Sequence, residues 1–211
     1  NSDEFSKDAI NGTAWRYVAL FSGKLIVFFS TVILARLLTK DDFGLVGYAV
    51  TVIAFLEGLS DLGVAAAVIY YPDDQERIST GFWINQVTGI VFFALTWLCA
   101  PLIAVYFQDQ RAVQVTRTLS LTFPFLAFGY MQDAVLLKRL SFRKTFIPSF
   151  AKALIKGLAS VGFALAGFGA WSLIWGMLSG TLASAIGFWI VSPWRPSFVF
   201  SIEKARELLG Y

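Results

Sequence analysis

Histidine is absent from this 211-residue sequence, and cysteine occurs once, at Cys99. A single thiol excludes an internal disulfide, and the lack of imidazole excludes His-based metal sites and Cys–His catalysis. Cys99 sits in an apolar run and reads as a small packing residue. Charge is also scarce: 15% of residues are charged and 57% hydrophobic, where a soluble domain carries about 25% charged residues. There is no Gly-rich phosphate loop between strand and helix, no cluster of metal ligands and no nucleophile with a base beside it. The expectation is a non-enzyme with no metal, no cofactor and no nucleic-acid partner.

What the chain has is apolar length. Trp15–Leu38 would extend about 36 Å as a helix, more than the ~30 Å hydrocarbon core of a bilayer. Six such segments can be traced, about 15–37, 43–69, 79–106, 113–137, 147–166 and 170–191. The predicted fold class is all-α, a polytopic membrane protein with a six-helix transmembrane lobe over 15–191. Residues 1–14 precede it and 192–211 follow as an amphipathic tail. The tail has no closing signal, so a longer natural chain is expected. The 21 phenylalanines and 7 tryptophans suit lipid contact and interfacial anchoring.

Within this pattern, Pro101 is expected to kink the third span, which membrane helices tolerate when a neighbour re-satisfies the freed carbonyl. The fourth span is the most polar, with Arg117, Pro124, Gln132 and Asp133, the last close enough to its end to reach water. Gly167-Phe168-Gly169 reads as a minimal hairpin. Gly176-x-x-x-Gly180 is the spacing that lets helices approach closely.

Orientation follows from basic residues outside the spans. Lys7, Arg16, Arg77, Lys138, Arg139, Arg143, Lys144, Arg195, Lys204 and Arg206 share one side, against Arg36, Lys40, Arg111 and Arg117 on the other. Both ends of the segment are thus expected to be cytoplasmic. The basic run Lys138–Lys144 reads as a topogenic, lipid-facing patch.

Five ionisable residues fall deep within the spans: Lys24, Glu57, Asp61, Lys152 and Lys156. A lysine at bilayer depth costs at least about 2.5 kcal/mol unless it faces protein or water. Glu57 and Asp61 are four apart, as are Lys152 and Lys156, so each pair shares one helix face. Thr31 lies on the face of Lys24, and Ser149 and Ser160 extend that of the span-five lysines. Two readings follow. Either the lysines pair with Glu57 and Asp61 and hold the bundle together, or the polar faces line a wet cationic cavity for an anionic substrate. Lys24, Lys156 and Lys152 are the candidate substrate contacts. Glu57 and Asp61 are candidates for ion coupling or charge pairing.

Several stretches carry a family likeness: Gly12-Thr13-Ala14-Trp15, Ile33-Leu34-Ala35-Arg36-Leu37-Leu38-Thr39, Asp42-Phe43-Gly44 and Asp61-Leu62-Gly63. So do Leu137-Lys138-Arg139-Leu140-Ser141-Phe142-Arg143, Gly167-Phe168-Gly169-Ala170-Trp171 and Ser192-Pro193-Trp194-Arg195-Pro196. In order and spacing they resemble the O-antigen (Wzx-type) polysaccharide flippases of the multidrug/oligosaccharidyl-lipid/polysaccharide exporter superfamily. The resemblance implies two lobes around a central cavity, with this chain as the N-terminal half and a C-terminal lobe as its partner. It also implies the bacterial inner membrane and alternating-access transfer of undecaprenyl-diphosphate-linked oligosaccharide. The family often places polar or charged residues a turn before Lys24, where this chain has Ala19-Leu20. Two alternatives stay open: a cation-coupled drug-type antiporter of the same superfamily, or a non-transporting membrane subunit or scaffold.

Overall fold

The computed structural model describes residues 21–60 and 63–210, and every regular element among them is helical. Helix α1 covers 21–37 and α2 covers Lys40–Ser60. The turn between them is held by a capping box. The Thr39 N–H and hydroxyl donate to the Asp42 carboxylate at 3.0 and 2.8 Å, and the Asp42 N–H donates back to the hydroxyl at 3.2 Å.

The second apolar segment is divided. After α2, Gly63 takes φ 70°, the left-handed region a glycine enters without strain, and α3 runs Val64–Tyr70. Helix α4, Gln75–Phe107, is a single element of 33 residues with Pro101 inside it. Proline at 101 leaves the Trp97 carbonyl without its helical partner. That oxygen accepts from Arg117 Nε at 3.4 Å, and the Arg117 guanidinium lies 5.3 Å from the Trp97 ring centre. The arginine of the polar fourth segment is thus explained by the proline of the third.

That fourth segment is also two helices, α5 (Arg111–Leu119) and α6 (Thr122–Lys138). Pro124 has no N–H to offer the Ser120 carbonyl, which instead accepts from Phe123 at 3.1 Å, so the ladder restarts there. Ala112, Val115, Thr116 and Leu119 form the buried stripe of α5. Helix α7 (Phe142–Leu165) carries Pro148 inside it. Helix α8 spans Ala170–Val191 and α9 spans Ile202–Leu209.

Four stretches among the described residues are long and apolar enough to cross a membrane: Lys40–Tyr70, Gln75–Phe107, Arg143–Leu165 and Ala170–Val191. Helices α1, α5 and α6, taken over their described residues, are each shorter than 18 residues. The lobe is therefore an all-α multi-pass membrane domain, with four stretches among the described residues that meet the length and composition of a span.

Two apolar clusters hold it. One, with Leu45, Ile53, Val115, Leu119, Phe123 and Ile174 among its members, joins α2, α5, α6 and α8 near the α7–α8 hairpin. The other, with Val64, Val68, Phe82, Met131, Trp194 and Leu208, joins α3, α4, α6 and the C-terminal segment. At the hairpin, Asp42 serves a second helix. Its other carboxylate oxygen accepts from the Ala170 N–H at 2.9 Å, capping α8 beside Gly169, whose φ is 53°. The Asp42 and Gly167–Ala170 motifs are far apart in sequence and meet there.

At the opposite end the tail is fastened to α4. Trp194 Nε1 donates to Gln75 at 2.7 Å, Gln75 donates to the Arg195 carbonyl at 2.9 Å, and Trp83 donates to the Ser197 carbonyl at 3.0 Å. Arg77 pairs with Glu207 at 2.9 Å, and Ala205 and Leu208 form the buried face of α9. Lys138 is turned into the protein and is not part of a lipid-facing patch. Its ammonium lies 2.8 Å from the Val68 carbonyl, 2.5 Å from that of Tyr71 and 3.0 Å from Asp73. The last carbonyls of α3 lack helical donors, and a lysine meets that need.

Candidate functional site: a polar trough across helix six

On α6, Leu126, Gly129, Tyr130 and Asp133 follow the i, i+3, i+4, i+7 spacing of one helix face. Two cavities open on that face and share Leu126 and Tyr130. The first, about 240 Å³, is closed by Ser149 and Lys152 of α7 and by Thr181 and Ser184 of α8. The second, about 210 Å³, is closed by Glu57 and Ser60 of α2 and by Asn85, Thr88 and Gly89 of α4. They adjoin along α6 as one trough, with Lys152 and Asp133 at one side and Glu57 at the other.

Close backbone approach sets its walls. A Cβ on Gly89 would lie 2.7 Å from that of Ala127, which seats α4 on α6. On α8, Gly176 faces Ser160, and a Cβ on Gly180 would come within 2.7 Å of the Lys152 carbonyl and 2.8 Å of Lys156 Cβ. The Gly176-x-x-x-Gly180 face therefore presses directly on the lysine-bearing turns of α7.

The seam divides the lysines. Lys152 and Ser149 line the trough, whereas Lys156 and Ser160 line a separate cavity of about 200 Å³ with Ser30 and Thr31 of α1. Lys24 is exposed on α1 and lines neither cavity. Its neighbour Gly23 rests on Ala153, at 3.6 Å for an added Cβ, so Lys24 sits at the depth of Lys152. Glu57 is half-buried and feels the charge of Lys152, but no ion pair closes between them. Asp61 lies outside the described residues.

Among the trough residues not singled out from sequence as site candidates are Asn85, Thr88, Tyr130 and Asp133. A signal existed for all four. Asn85 and Thr88 are three apart in an otherwise apolar span, as are Tyr130 and Asp133, and spacing of that kind puts polar groups on one face. Among the described residues no group of His, Cys, Asp or Glu could hold a metal ion.

Residues 33–211 match the family described as polysaccharide biosynthesis protein. The chain belongs to that family. It is 28% identical over 204 residues to the succinoglycan biosynthesis transport protein ExoT of Rhizobium meliloti (strain 1021), covering 96% of this chain and 41% of that protein. It is also 28% identical to the teichuronic acid biosynthesis protein TuaB of Bacillus subtilis (strain 168), covering 98% of this chain and 43% of that protein. To the lipopolysaccharide biosynthesis protein WzxC of Escherichia coli (strain K12) the identity is 25%, covering 96% and 42%. The chain thus spans about two fifths of the length of these relatives. No solved structure matches it.

Proposed function

We propose that this polysaccharide-biosynthesis membrane protein supplies one lobe of a flippase that moves lipid-diphosphate-linked oligosaccharide across the bacterial inner membrane by alternating access. The trough over α6 carries the reading, because it puts Lys152 in a polar cavity between membrane helices with no ion pair closed among the described residues. Moving an anionic, sugar-bearing lipid calls for a cavity that is wet, cationic and open between helices. Lys152 is its phosphate contact, Lys24 is a second cation at the same depth, and Lys156 is a third on the far side of the seam. The second lobe lies in the remainder of a longer protein, and both ends of the present segment face the cytoplasm.

Glu57 supports a second reading, cation-coupled antiport, since a half-buried carboxylate in a cavity is the usual means of coupling a proton or ion. The test is to replace Lys24, Lys152 and Lys156 singly by Gln in the complete protein and to measure polymer export at matched protein levels. The flippase reading expects Lys152→Gln to lower export at least tenfold. Undiminished export in all three variants sinks it, and efflux of lipophilic cations abolished by Glu57→Gln would favour antiport.

A further inference from the structure

The Glu57 side of the trough differs chemically from the Lys152 side. Asn85 is only 8% exposed, and among the described residues its Nδ2 has no hydrogen-bond partner, although a buried amide N–H left unpaired costs about 1–3 kcal/mol. It lines the same cavity as Glu57. The Glu57 carboxylate receives no side-chain donor among the described residues, while the Ser60 hydroxyl is spent on the Glu57 backbone carbonyl at 2.8 Å. The cavity therefore offers an amide that must donate and a carboxylate that must accept.

A metal cation or a proton alone satisfies the carboxylate and leaves the amide donor facing it. A phosphate satisfies the amide and is repelled by the carboxylate. A hydroxyl group does both, accepting from Asn85 and donating to Glu57; water has the same hydrogen-bonding capacity, and it is the ring-sized volume and the aromatic wall that favour a sugar. Thr88 adds a third hydrogen-bonding group, and Tyr130 and Phe123 supply apolar wall for the C–H surface of a ring. At about 30 Å³ per water the volume holds roughly seven waters, which suits one sugar ring and not a chain of them.

We infer that Glu57, Asn85 and Thr88 form a sugar-hydroxyl subsite that reads the first sugar of the lipid-linked glycan while Lys152 holds the diphosphate. The inference rests on the flippase reading above and assigns specificity within the same trough. The two subsites adjoin at Leu126 and Tyr130, so one ligand with a phosphate next to a sugar spans both.

The experiment measures equilibrium binding to the complete protein in nanodiscs with four probes: undecaprenyl diphosphate, and the same lipid bearing glucose, galactose or N-acetylglucosamine. Wild type is expected to bind at least one sugar-bearing probe about tenfold more tightly than the bare lipid. Asn85→Ala and the near-isosteric Thr88→Val should each remove most of that gain and leave affinity for the bare lipid within twofold, and Glu57→Gln should remove it while leaving the bare lipid bound at least as tightly, since a repelling charge is lost. Lys152→Gln should weaken all four probes together. The inference is overturned if wild type shows no gain for any sugar, or if the three variants keep it. It is equally overturned if they weaken bare and sugar-bearing lipid in parallel. Wild type that binds none of the probes overturns the flippase reading itself and this inference with it.

Discussion

The two ends of the bundle and the trough between its helices handle polar groups in opposite ways. At the ends, polar groups that matter to the fold are closed off. Asp42 caps two helices, Lys138 takes the last carbonyls of α3, and Arg117 answers the carbonyl that Pro101 frees. In the trough, Lys152, Glu57 and Asn85 stay open toward a cavity. An unpaired polar group in a membrane protein costs free energy, so groups left open are the ones to suspect of binding something. Lys138 and Lys152 show the contrast within one residue type. Both are lysines on neighbouring helices, one satisfied by protein and the other facing space.

The contrast can be broken or sharpened by measurement. The largest effect is expected from Gly176→Leu, which drives a side chain into Ser160 and forces α7 off α8. Overpacking of a tight contact costs about 1–3 kcal/mol and sometimes more. Here the result should be loss of most folded protein in a detergent size-exclusion profile. A normal monodisperse peak would show that the seam is looser than described. Next comes Lys138→Gln, expected to lower stability by about 2–4 kcal/mol, because two carbonyls and Asp73 lose a charged donor. An unchanged thermal midpoint would place Lys138 with the open lysines.

Arg117→Ala is expected to cost about 1–2 kcal/mol. In a Pro101→Ala background, where Trp97 regains its helical donor, the cost should shrink, and a double-mutant cycle reads the coupling. Equal costs in both backgrounds would detach the arginine from the proline. Lys152→Gln should leave stability within about 0.5 kcal/mol while lowering export, the reverse of Lys138→Gln. A large loss of stability would make Lys152 a structural residue.

The smallest effect concerns Asp74, the N-cap of α4. Burial raises the Asp74 pKa, but hydrogen bonds from the Glu76 and Arg77 N–H groups and the nearby Lys204 outweigh it and hold the carboxyl below the usual range. Its contribution is then complete above the ordinary carboxylate value of about 3.9 and fades as pH falls through the lower folded value. Hydrogen exchange in α9 should rise slightly below about pH 4, and Asp74→Asn should remove that dependence. A profile identical in both would exclude Asp74.

Much of this was readable from residues alone. Apolar runs longer than a bilayer is thick and little charge define the class, and short-range chemistry marks the hairpin at Gly167 and the small-residue face of α8. The breaks in the second and fourth segments were less legible, since hydropathy runs straight through Gly63 and Pro124 while only local backbone geometry interrupts the helix. The site was half legible. Lys152 and Glu57 stand out because charge is rare at that depth. Asn85 and Tyr130 do not, because an amide or a phenol is common in a membrane helix and its meaning depends on what it faces.

By itself, then, the sequence determined an all-helical multi-pass membrane protein and the short set of charges that need explaining, because hydrocarbon thickness and the cost of burying charge act on each segment separately. Only the tertiary structure decided how those charges are shared out. Lys152 and Lys156 are one helical turn apart and were expected to line one stripe, yet α8 presses its glycines between their turns and sends them to different cavities. Which neighbour occupies the space beside a side chain is set by how helices distant in sequence pack, and no local pattern carries that information.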